Sequence, residues 1–259
     1  MIKRGKMEEM ERQAEEIKSK MERQLMLPGN APDYDLSKVV EYPESFLKGK
    51  RILFLGSSVT YGALGVSFVE YLVRKDGVVA DKQAISGTTL VDEESVFARV
   101  GFGNGGSYVR RLKELVKTSN QYECFVCQLS TNDASSGKPM GVISQSRELE
   151  DFDTLTVIGA MEYIIAYVRK HWNCPIGFYT ACFDENPIYE EMVRNLYVLR
   201  DKWGIKIIDL YTDKEFNGIS DKERALYMMD EIHPTRAGYL NWWLPEFEKR
   251  LEEIMKTGR

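Results

Sequence analysis

The regular exchange of two hydrophobic periods is what most constrains this chain. From about residue 50, short apolar runs "RILFLG", "GVVADKQAI", "CFVCQLS", "PIGFYTACF" and "IKIIDL" alternate with longer stretches of helical period. Those stretches are "SFVEYLVRK", "SYVRRLKELV", "DFDTLTVIGAMEYIIAYVRKHW", "PIYEEMVRNLYVLRDKW" and "RAGYLNWWLPEFEKRLEEIMK". Strand and helix repeated about five times imply crossover connections, hence an α/β fold with a five-stranded parallel sheet and helices on both faces.

The region before this pattern is different. Residues 1 to about 27 are charge-dense, with Met7, Met10, Ala14, Ile17, Met21 and Leu25 spaced by threes and fours. That spacing predicts an amphipathic helix with one apolar stripe. Either the body of the same chain covers the stripe, or a second copy does, giving a homodimer through the N-terminal helix. The proline- and glycine-bearing "LPGNAPDYDLSKVVEYPESFLKGK" reads as a connecting arm. The expected division is therefore residues 1–46 for helix and arm, and 47–259 for the main α/β domain.

Charge and hydropathy exclude some partners. With a formal net charge of -5 the chain has no basic field for nucleic acid or an anionic membrane surface. No run approaches the length of a membrane span, and the N-terminus lacks the apolar core of a secretory signal, so a cytoplasmic protein is expected. Cys124 and Cys127 form a C-x-x-C inside an apolar strand run, where residues three apart point to opposite faces. They read as buried hydrophobes rather than a metal or disulfide pair, and no metal site is expected.

In an open parallel sheet, ligands gather beyond the carboxyl ends of the strands. The first run ends there in "GSSVTYG", where Ser57, Ser58 and Thr60 replace apolar residues. The stretch lacks the Lys-Ser/Thr of a P-loop and the G-x-G-x-x-G of a dinucleotide fold. Of the two histidines, His171 fits a surface position at a helix C-terminus, which favours a cationic ring. His233 lies in "MMDEIHPTRAGY", three residues after Asp230 and just before Pro234, which forces it out of helical geometry. A turn with this spacing lets Asp230 accept from Nδ1 and leaves Nε2 as a base. "AISGTT" places Gly87 at the second strand end, and "LSTNDASSG" places Asn132 at the third. Each could be plain turn chemistry. Taken with Ser58 and His233, they supply a nucleophile, an oriented base, a backbone N–H and an amide donor, the set that acyl transfer needs.

These four blocks resemble, in order, those of the SGNH hydrolases, or GDSL-type esterases and lipases: "GSSVTYG", "AISGTT", "LSTND" and "DEIHP", spanning residues 56 to 234. The resemblance implies a flavodoxin-like three-layer α/β/α sandwich. It also implies Ser58 as nucleophile, His233 as general base and acid, and Asp230 as its orienting carboxylate. The oxyanion hole would be formed by the N–H groups of Ser58 and Gly87 and the Asn132 amide. No cofactor is implied. Two departures stand out: Ser57 occupies the position of the family's usual aspartate, and Ser130 and Thr131 stand where glycines are common.

The expected activity is hydrolysis of short-chain esters, acetyl above all, on a small polar or carbohydrate alcohol. The basis is that "TTLVDEESVFARVGFGNGG" and "DASSGKPMGVISQSRELED" mix charges, glycines and hydroxyls without a contiguous apolar run. Tyr61, Phe97 and Phe102 offer flat surfaces to a sugar ring, with core or loop packing as the alternative. An acyltransferase using the same triad and a noncatalytic binding module of the same fold are the competing readings.

Overall fold

Five strands form one parallel sheet: β1 (Arg51–Gly56), β2 (Val79–Ala84), β3 (Cys124–Gln128), β4 (Ile176–Tyr179) and β5 (Lys206–Ile208). Their spatial order is β2-β1-β3-β4-β5, and every neighbouring pair is parallel. The order reverses at β1, so the crevice beyond the carboxyl ends of β1 and β3 is where an open sheet of this kind takes its ligand. The structure is a computed structural model that describes residue 19 and residues 22–93, 106–116 and 120–257. Phe97, Phe102 and nearly all of the expected N-terminal helix lie outside the described residues, although 22–25 are helical.

Strand periodicity divides the core into two layers. Leu53 and Leu55 of β1 point into one apolar cluster, Ile52 and Phe54 into the other. Cys127 and Cys124 divide in the same way; both are fully buried and free, on opposite faces of the sheet as their spacing predicts. One face is covered by α3 (Tyr108–Leu115), α5 (Val157–His171) and α6 (Pro187–Trp203), the other by α2 (Phe68–Asp76) and α10 (Leu244–Thr257). Between them in sequence lie the short helices α1 (Ser58–Tyr61), α4 (Thr131–Ser135), α7 (Lys214–Asn217), α8 (Asp221–Tyr227) and α9 (Arg236–Gly238). This is the three-layer α/β/α sandwich expected. Phe68 stacks on Phe247 at 3.7 Å between centroids and joins α2 to α10.

Some boundaries differ from the sequence expectation. β4 ends at Tyr179 rather than continuing through "TACF", because the Thr180 hydroxyl turns to accept from the amides of Leu210 and Tyr211. The long helix expected from residue 151 starts at Val157, where Thr156 caps it by accepting from Gly159 N. His171 does end α5, but desolvation, with the Lys170 charge, lowers its pKa instead of favouring the cation. The arm is three 3₁₀ turns, Pro28–Asn30, Pro32–Tyr34 and Leu36–Lys38, seated on the domain: Tyr71 Oη donates to Tyr34 O, and Leu47 is buried. Among the described residues no helix is long and apolar enough to cross a membrane.

Candidate active site

Gly56 ends β1 under close constraint: a Cβ there would meet Thr60 Oγ1 at 1.7 Å and Gln128 Oε1 at 2.8 Å. The chain then turns into α1, with Ser58 as its first residue. Gln128, fully buried at the end of β3, holds this turn from beneath. Its Oε1 accepts from Ser57 N at 2.9 Å, from Thr60 Oγ1 at 2.8 Å and from Tyr179 Oη at 3.2 Å. The aspartate position is therefore not needed to fix the loop. Ser57 Oγ is buried and faces the buried hydroxyl of Tyr108. Ser58, by contrast, is only partly buried, and its N–H lies in the first helical turn, where no intrahelical acceptor exists.

His233 is presented by a tight return of the chain. Met228 pairs with Pro234, Met229 N donates to His233 O at 2.8 Å, and Thr235 N donates to Tyr227 O at 2.8 Å. Inside the return, Asp230 Oδ1 accepts from Ile232 N at 2.9 Å and His233 N at 2.8 Å. Both Asp230 oxygens lie 2.9 Å from His233 Nδ1, and Ser58 Oγ lies 2.8 Å from His233 Nε2. A carboxylate can only accept, so Nδ1 carries the proton and Nε2 is free to take one from the serine. Burial raises the Asp230 pKa, but the hydrogen bond and charge of His233 and the two amides outweigh it, bringing it down to about 2. Asp230 is thus ionised throughout the working range of an enzyme.

The remaining two positions come from neighbouring strand ends. Gly87 has φ of 77°, a left-handed conformation that glycine adopts without strain. Asn132, in α4, donates Nδ2–H to Thr88 O at 2.9 Å, which ties the third strand end to the loop carrying Gly87 and leaves the amide a second N–H. Next to it, Asp133 is buried and accepts from Leu90 N at 2.8 Å and Val91 N at 3.1 Å. Burial pushes its pKa up to about 6, against the pull of those amides, of Ser130 and of Lys138.

Asp133→Ala strips two buried amides of their acceptor at about 1–3 kcal/mol each, so the variant should lose about 2–6 kcal/mol of stability. Denaturant titration measures it. The pH dependence has a definite sign: the folded-state pKa exceeds the reference 3.8, so this group's contribution declines as pH rises from 3.8 to about 6. That decline should be missing from the variant's stability curve.

Sequence reasoning did not find Gln128, nor Asn30 in the arm. Asn30 is buried, accepts from Arg236 N at 2.8 Å through Oδ1 and so holds the helix that follows His233. Tyr61 is exposed at the end of the turn that carries Ser58, with Lys82 Nζ 5.6 Å from its ring centroid.

No family model and no curated protein matches the sequence. Solved structures match in fold. A Bacteroides ovatus protein described as a GDSL-like lipase is 16% identical with a TM-score of 0.53, covering 80% of this chain and 98% of its own. A Bacteroides uniformis protein described in the same terms gives 14%, 0.56, 79% and 96%. An acetyl xylan esterase gives 14%, 0.53, 78% and 99%. The fold that the sequence resemblance implied is therefore the fold of proteins described in those terms.

Proposed function

We propose that the protein is a serine ester hydrolase of the SGNH type, with Ser58, His233 and Asp230 as its catalytic triad. The observation that carries the reading is the continuous relay from Ser58 Oγ through His233 to a doubly contacting Asp230 carboxylate. Ser58 Oγ attacks the ester carbonyl while its proton moves to Nε2, and the resulting imidazolium is stabilised by Asp230. The carbonyl oxygen becomes an oxyanion facing the N–H groups of Ser58 and Gly87 and the second Asn132 N–H. Collapse returns the proton from Nε2 to the departing alcohol. Water, deprotonated by the same nitrogen, then attacks the acyl-enzyme and releases the acid and Ser58.

The substrate reading is a short acyl group, acetyl first, on a polar or carbohydrate alcohol. Much of the 133–151 loop is exposed, with its hydroxyl and charged residues. Exposed hydroxyls and charges suit a polar alcohol better than an alkyl chain. A series of p-nitrophenyl esters from acetate to laurate tests this. Each methylene that found an apolar wall would gain about 0.8 kcal/mol, roughly fourfold in kcat/KM. The expected result is a maximum at the shortest chains and poor turnover beyond about eight carbons. A steady climb to laurate would instead indicate a lipase, and no turnover of any ester would indicate a binding module.

A further inference from the structure

Arg111 lies in the middle of α3, a helix whose other buried residues are Tyr108, Val109 and Leu112. Its side chain runs inward instead of outward, and the residue is 7% exposed. Among the described residues no carboxylate pairs with it. The guanidinium instead faces oxygen atoms, two of them on the segments that carry Ser58 and Gly87. Nη2 donates to Gly56 O at 2.8 Å and to Thr88 Oγ1 at 3.0 Å, Nη1 donates to Gln83 O, and Nε donates to Gly106 O at 3.2 Å. The ring of Tyr108 lies 5.0 Å from the guanidinium carbon.

The placement of these acceptors is specific. Gly56 precedes Ser58 by two residues, Thr88 follows Gly87 directly, and one nitrogen, Nη2, bridges the two segments. Thr88 is in turn tied through its carbonyl to Asn132 Nδ2. All three donors assigned to the oxyanion thus lie within two residues of atoms held in one network. A buried cation without an opposite charge is costly, and a chain retains one where its directional bonds matter. Arginine suits this task because its planar fork fixes several donors in one plane, which the single ammonium of lysine does not.

We infer that Arg111 is a positioning residue for ester hydrolysis, locking the Ser58 and Gly87 loops into the register at which their N–H groups converge on the oxyanion. Substrate binding depends on the surrounding loops, whereas the oxyanion exists only after attack. Loosening this register therefore lowers kcat and leaves KM nearly unchanged.

The inference rests on the esterase reading, and its test separates the two. Arg111→Lys keeps the positive charge but loses the fork; Thr88→Val keeps the shape but removes one acceptor, together with the hydroxyl's own bond to Ile85 O at 2.7 Å. With p-nitrophenyl acetate, Arg111→Lys should lower kcat by about 10–100-fold, the range expected for a misplacement of about an ångström, with KM within about threefold. Inhibition by phenylboronic acid, whose tetrahedral serine adduct places an oxygen in the same hole, should weaken in parallel. Thr88→Val should show a smaller loss of the same kind. A folded Arg111→Lys with wild-type kcat, or with its whole loss in KM, overturns the inference while the esterase reading stands. If Arg111→Lys does not fold, wild-type kcat in Thr88→Val overturns it equally. A wild-type protein inert toward every ester overturns both.

Discussion

Ser58→Ala should leave less than about a thousandth of wild-type kcat on any ester, a level the oxyanion hole and binding can sustain alone. The fold should survive, because Ser58 is only partly buried and its hydroxyl makes one hydrogen bond among the described residues, at 2.8 Å to His233 Nε2. Unchanged circular dichroism and thermal midpoint would establish that. Ser57→Ala is the matched control. Its hydroxyl is buried and faces Tyr108 rather than His233, so removing it leaves the relay intact and kcat/KM should stay within a few-fold. The loop does not depend on that hydroxyl, since Gln128 Oε1 holds Ser57 by its backbone N–H, which alanine retains. If Ser58→Ala kept substantial activity while Ser57→Ala lost it, the nucleophile would have been assigned to the wrong serine.

The contrast between these two serines shows what a sequence can disclose. Ser58, Gly87, Asn132 and His233 each stand at a chain turn, where a small, polar or proline-flanked residue interrupts an apolar period. Such interruptions are legible because they break a local pattern. Gln128 and Arg111 break nothing. One ends an apolar strand and the other sits among the buried residues of an amphipathic helix, where an amide or a cation passes as an ordinary irregularity. Their roles come from partners far along the chain: Gln128 meets Ser57 across 71 residues, and Arg111 meets Gly56 across 55. Nothing within either helix or strand encodes those meetings.

The fold divides along the same line. The five strands and the helices between them were readable because both periods persist over several turns. The end of β4 was not, because Thr180 leaves the strand to cap amides thirty residues on. Helices α7 and α8, between residues 211 and 229, carry no apolar period, although Ser220 and Glu223 form a capping box with the spacing that marks a helix start. That signal was local and available; the helix behind it has only 7 residues, too short to display a period.

Asp230→Asn should cost about 10³–10⁴ in kcat, because it alters which nitrogen of His233 holds the proton. In the native arrangement two amides donate to Asp230 Oδ1 and both carboxylate oxygens face Nδ1. Asparagine keeps its oxygen toward those amides and turns its NH₂ toward the ring. Nδ1 must then accept, the proton moves to Nε2, and Ser58 loses its base. The backbone turn should persist, since one oxygen still receives Ile232 N and His233 N, so the thermal midpoint should change little while kcat collapses. The pH profile provides the independent check. His233 must be neutral to accept the serine proton, so protonating it in acid should remove activity and wild-type kcat/KM should rise from acid toward alkaline pH. Asp230 adds no second limb there, because its hydrogen bonds hold it at about 2 against the opposing effect of burial. A flat profile from about pH 5 to 9 would contradict a histidine base, and an Asp230→Asn variant within tenfold of wild type would show that the carboxylate shapes the turn without orienting the imidazole.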